Sequence, residues 1–123
     1  MENELYYIQQ KIDSIQFGLL RLRDGEKTRK TWQVRTTANS DNSLNCIITD
    51  PAPRKRLVNK NVNLIQRHRD DYLYITGTVD EEVNRKGKIL SIRILKASWF
   101  VRKSKGNVSW LQEKCSYVYD LAS

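Results

Sequence analysis

Between residues 72 and 100 the chain alternates apolar and polar positions with a period of two, twice over. Leu73, Ile75 and Val79 stand against Tyr72, Tyr74, Thr76 and Thr78, then Leu90, Ile92 and Ile94 against Ser91 and Arg93. That period predicts two half-buried strands, over residues 72–79 and 88–101, joined as a hairpin by the charged turn 80–87. Three shorter segments precede them with the same pattern. Residues 16–23 put Leu20 and Leu22 on one face and Arg21 on the other. Residues 31–38 put Trp32, Val34 and Thr36 opposite Gln33, Arg35 and Thr37. Residues 43–49 turn Leu44, Cys46 and Ile48 inward and Asn45 and Ile47 outward. Cys46 thus reads as a small core residue. Trp32 is open between core and exposed, and so are Tyr72 and Tyr74.

Two segments follow a helical period instead. Leu5, Ile8, Ile12 and Ile15 recur every three or four residues, with acids near the start, which predicts a helix over residues 2–14. Its apolar face suits capping one end of a barrel, or alternatively a protein partner or a second copy of the chain. After Pro51 and Pro53, the spacing of Leu57, Val58, Val62 and Ile65 predicts a further helix over residues 54–66, between the third and fourth strands. Residues 102–107 read as a basic loop, and 108–122 allow either a short helix or a strand.

Composition narrows the class. A chain of 123 residues is the length of one domain, with a helix at 1–14, a β-barrel at 16–101 and a C-terminal extension at 102–123. No apolar run approaches the roughly 18 residues a membrane span needs, and no contact with a membrane is expected. The start, Met1-Glu2-Asn3-Glu4, is too polar and acidic for a secretory signal, so a cytoplasmic location is expected. Two cysteines and a single histidine, with no closely spaced cysteine pair, predict neither a disulfide framework nor a zinc site. No metal or cofactor is expected.

The net charge of +8 is unevenly placed. Residues 54–69 hold six basic residues and 85–105 hold eight, and neither block contains an acid. Such clustering makes a field that attracts polyanions and weakens with salt.

The order of elements, five strands with a helix after the third, resembles the OB-fold. The stretch with Gly77 late in one strand, followed by the long closing strand to Phe100, resembles the end of bacterial single-strand DNA-binding proteins. The resemblance implies a mainly β fold, a five-stranded OB-type barrel with an N-terminal helix and a helix between strands 3 and 4. It also implies a nucleic-acid site on the outer sheet face and two loops. Carried onto this chain, the first loop offers Lys27, Arg29 and Lys30, and the second offers Arg85, Lys86 and Lys88. Trp32, Arg35, Tyr72, Tyr74 and Arg93 join them on the sheet. The chain departs from that family in its exposed Asn45 and Ile47, where an aromatic is expected, and in its ending, Tyr-Asp-Leu-Ala-Ser.

Catalytic chemistry has little to stand on. His68 lies between Arg67 and Arg69 with no recognisable partner, and reads as a surface or phosphate contact. Asp80, Glu81 and Glu82 read as a solvated turn, and no phosphate-cradling glycine loop is present. The expected function is non-enzymatic binding of single-stranded DNA or RNA. The alternative is an adaptor or assembly subunit whose basic surface meets an acidic partner. A PilZ-like nucleotide-binding barrel is a third reading, but the motifs of that family are missing.

Overall fold

The computed structural model describes residues 4–22, 31–39, 42–48, 57–83 and 89–119. Within them run α1 (Glu4–Ser14), β1 (Phe17–Leu22), β2 (Thr31–Ala38), β3 (Ser43–Ile48), β4 (Asn61–His68), β5 (Asp71–Glu82), β6 (Ile89–Lys105) and β7 (Val108–Val118). The strands lie in the order β3-β2-β1-β4-β5-β6-β7, every pairing antiparallel. β4 returns beside β1, so β4-β1-β2-β3 is a Greek key. The first half of β6 then pairs with β3, from Ser43 opposite Arg93 to Ile47 opposite Ile89. That ladder closes six strands into a barrel, which leaves those six with no free edge pair. The closed barrel is compatible with an OB-like barrel, with one strand more than the five expected.

The extra strand is β4. It takes up residues 61–66 of the segment expected to be a helix over residues 54–66, of which residues 57–60 form a turn and residues 54–56 lie outside the described residues. The inward positions of β4 are Val62, Leu64 and Gln66, all buried. A polar residue at the third of them hides the period of two. Gln66 is tolerated there because its Nε2 donates to the carbonyls of Ile15 (3.1 Å) and Phe17 (3.3 Å) and to Thr36 Oγ1 (3.0 Å). A buried amide without such partners would cost about 1–3 kcal/mol. Leu57 and Val62, which suggested a helix face, are both buried, one ahead of the strand and one within it.

The inner surface is filled by Leu20, Val34, Leu44, Cys46, Ile48, Val62, Leu64, Leu73, Ile75, Val79, Leu90, Ile92 and Ile94. Ile8 and Ile12 of α1, with Ile15 just after it, join the same core, so the apolar face of the helix packs on the barrel. Gly77 sits at a register shift between β5 and β6, where an added Cβ would fall 2.6 Å from the Arg93 carbonyl oxygen. No larger residue fits that approach.

The expected basic loop at 102–107 is not a loop. β6 runs through to Lys105, turns at Gly106 and Asn107, and returns as β7. Gly106 has φ +61°, which a two-residue hairpin turn needs and glycine adopts without strain. Beyond β7, Tyr119 is buried, its N–H donating to the Leu95 carbonyl at 2.8 Å. α1 also covers part of the β7 edge, where the Glu4 carboxylate accepts from the Ser116 N–H at 3.2 Å.

Candidate nucleic-acid interface

Alternation along β1, β4 and β5 sends one set of side chains into the barrel and the other outward. Phe17 and Leu19 share the outer side of β1, and they are 59% and 43% exposed. Leu19 lies opposite Ile65 of β4, and Ile65 opposite Tyr74 of β5. One rung further, Arg67 lies opposite Tyr72, and Tyr72 opposite Phe100 of β6. The register thus gathers Phe17, Leu19, Ile65, Tyr72, Tyr74 and Phe100 on one face of the sheet.

Arginines frame this face. The Arg35 guanidinium stands 5.4 Å from the centre of the Phe17 ring, across the β1–β2 ladder. The Arg102 guanidinium stands 5.9 Å from the Tyr72 ring and donates to its hydroxyl at 3.3 Å. A cation over an aromatic face contributes about 0.5–1 kcal/mol at an exposed site. Arg67 is held near its own turn, donating through Nε to the Arg69 carbonyl at 2.6 Å and pairing with Asp70 at 3.7 Å. His68, exposed, ends β4 opposite Asp71.

The residues expected at the site divide. Arg35, Tyr72 and Tyr74 come together on the outer face, Arg35 exposed and the two tyrosines half-buried. Arg93 is also exposed, but its guanidinium is engaged by Asp80 at 2.8 Å. Trp32 is half-buried and packs against the core, opposite Leu20 and on the side of Val34. It lies apart from the outer aromatics. Lys27, Arg29, Lys30, Arg85, Lys86 and Lys88 lie outside the described residues. Sequence reasoning passed over Phe17, Leu19 and Arg102. The alternation of Phe17 and Leu19 with Leu20 at the start of the first strand was a usable signal. The pairing of Arg102 with Tyr72 was not, because it depends on β6 continuing past Phe100.

That continuation makes a second feature. From residue 102 to residue 114 every side chain on both strands of the β6–β7 hairpin is exposed. One face carries Arg102 and Ser104 opposite Leu111 and Ser109, and the other carries Lys103 and Lys105 opposite Trp110 and Val108.

Elsewhere the chemistry is quiet. Burial pushes the Cys46 thiol up to about 12, so it stays protonated in the core. Partial burial, and after it the Glu4 carboxylate, raises the Cys115 thiol. Among the described residues no group of three His, Cys, Asp or Glu side chains could hold a metal ion. A groove of about 670 Å³ lies between α1 and the end of β2, lined by Leu5, Tyr6, Gln9, Asp13, Ala38, Asn39 and Asn42. Its lining includes one acid and no base, which sets it apart from the arginine-framed face. No helix is long and apolar enough to cross a membrane among the described residues.

No protein-family model matches the chain, and a search among curated proteins found no match.

Proposed function

We propose that the protein binds single-stranded nucleic acid without catalysis, across the outer face of β1, β4 and β5. The observation that carries this reading is the pairing of outward aromatics with arginines, Phe17 with Arg35 and Tyr72 with Arg102. Every base has a π-face, so rings presented to solvent can stack unpaired bases at about 1–3 kcal/mol each. Guanidinium groups beside those rings are placed to meet the phosphates, and their planar fork suits that contact. The net charge of +8 supplies the attraction that steers a polyanion to the face.

Leu19 and Ile65 at the middle of the face favour a second reading, docking of a protein partner through an apolar patch. Fluorescence anisotropy with labelled 20-mers or so of DNA and RNA separates the two. Binding is expected at low salt, falling steeply between about 50 and 200 mM. No binding to either oligonucleotide at low salt removes the nucleic-acid reading and leaves the protein partner.

A further inference from the structure

The hairpin beyond the barrel has no structural occupation of its own. A two-stranded ribbon is marginal in water unless something packs against it. Here both faces from residue 102 to residue 114 are solvated, and they carry Val108 at 63% exposure and Trp110 at 46%. Five ladder pairs, from Val101 opposite Gln112 to Lys105 opposite Val108, separate the barrel from the Gly106 turn. At about 3.4 Å per residue the ribbon reaches roughly 17–20 Å from the barrel.

Its charge selects an occupant. Residues 100–114 hold Arg102, Lys103, Lys105 and Lys114 against one acid, Glu113. Cations stand on both faces, Arg102 on one and Lys103 and Lys105 on the other. A single strand lies along one side of such a ribbon. A duplex groove instead has a phosphate wall on each side, and the major groove is wide enough for a two-stranded ribbon. A second copy of the chain would bring these cations against one another. The root of the ribbon is Arg102, which also donates to the Tyr72 hydroxyl beside its ring, so the ribbon begins where the aromatic face ends.

We propose that the ligand is a junction between single-stranded and double-stranded nucleic acid, with the β6–β7 ribbon lying in a groove of the duplex while the unpaired strand crosses the barrel face. This rests on the single-strand reading above and adds the duplex to it.

The test compares three labelled probes: a single strand, a blunt duplex, and the same duplex carrying the single strand as a tail. Two linked contacts raise affinity beyond either alone. The tailed duplex is expected to bind about tenfold or more tightly than the single strand. The double variant Lys103→Ala/Lys105→Ala should abolish that gain and lower the salt slope for the tailed duplex by about 2. Its affinity for the single strand should stay within about twofold, because phosphate contacts on the ribbon belong to the duplex. Both lysines are exposed, so the variant should fold as the parent does. A tailed duplex bound no more tightly than the single strand overturns the junction and leaves the barrel face standing. An equal loss for single strand and tailed duplex in the double variant also overturns it. So does a concentration-dependent dimer that Trp110→Ala dissociates while tailed-duplex binding survives. If no probe binds, the single-strand reading fails together with this one.

Discussion

β6 is one strand with two fates. Its first half alternates in burial, Leu90, Ile92 and Ile94 inward against Ser91, Arg93 and Leu95 outward, because β3 and β5 flank it in a closed ring. Its end, from Arg102 to Lys105, is exposed on both faces, with β7 as its ladder partner there. The same backbone geometry gives a core in one place and a bare ribbon in the other. Stability is therefore concentrated in the ring, and the ribbon is free to be selected for what it touches. A run of apolar residues does not by itself reveal which it is, since Val108, Trp110 and Leu111 are as apolar as the core and remain in solvent.

The sharpest way to break this contrast is to truncate one residue from each half. Ile92→Ala, in the ring, should cost about 2–5 kcal/mol in urea denaturation. Trp110→Ala, in the ribbon, should stay within about 0.5 kcal/mol. Equal losses would show that the ribbon is packed after all. A smaller effect is expected from Gln66→Leu, which strips Ile15 and Phe17 of a buried donor and should cost about 1–3 kcal/mol of stability. A neutral result would mean that shape alone matters at that inward position. Phe17→Ala then tests the outer face. Melting temperature should barely move, since the ring is mostly exposed, while single-strand affinity should fall by about 1–3 kcal/mol on the proposed reading. A loss of stability without loss of affinity per folded molecule would return Phe17 to a packing role.

Two finer effects follow. The folded-state pKa of Cys46 is about 12, above its ordinary value near 9, so the folded protein holds this proton after the unfolded chain has lost it. The stabilisation is whole below about pH 9 and is lost as pH rises toward 12. Denaturation midpoints should fall over that window, and the fall should be shallower in Cys46→Ala. Tyr119, also raised to about 12 by burial, accounts for part of the remainder. A small change is expected from Arg93→Ala. It breaks an exposed pair with Asp80 and should alter stability by no more than about 1 kcal/mol. A larger loss in thermal denaturation would place that pair among the contacts that hold β5 to β6.

Local pattern was enough to find α1 and the strands carrying Leu20, Val34, Cys46, Ile75 and Ile92, with the correct residues facing inward. It was enough also to set Arg35 outward and to put Tyr72 and Tyr74 on the side opposite Leu73 and Ile75, while leaving open whether anything covers the tyrosines, because a period of two is a property of each strand alone. It failed at β4. Gln66 occupies an inward position, and only the Ile15 and Phe17 carbonyls and the Thr36 hydroxyl, brought from 30 to 51 residues away, make a buried amide acceptable there. It failed again at residues 102–105, read as a loop, and left 108–118 open between helix and strand; from 102 to 114 a strand need not alternate because neither face is covered.

What the sequence determined by itself is local: an amphipathic helix, alternating strands, a basic balance and a core-facing Cys46. Tertiary structure alone decided the rest. The ring closes through β3 and β6 with a sixth strand, β4, between β1 and β5. The length of β6 carried the chain past the barrel and set Arg102 over Tyr72. Antiparallel registry placed Phe17 beside Arg35, although 17 and 35 lie far apart in the chain. These are long-range pairings, and a residue's own neighbours carry no information about which distant strand will supply its partner.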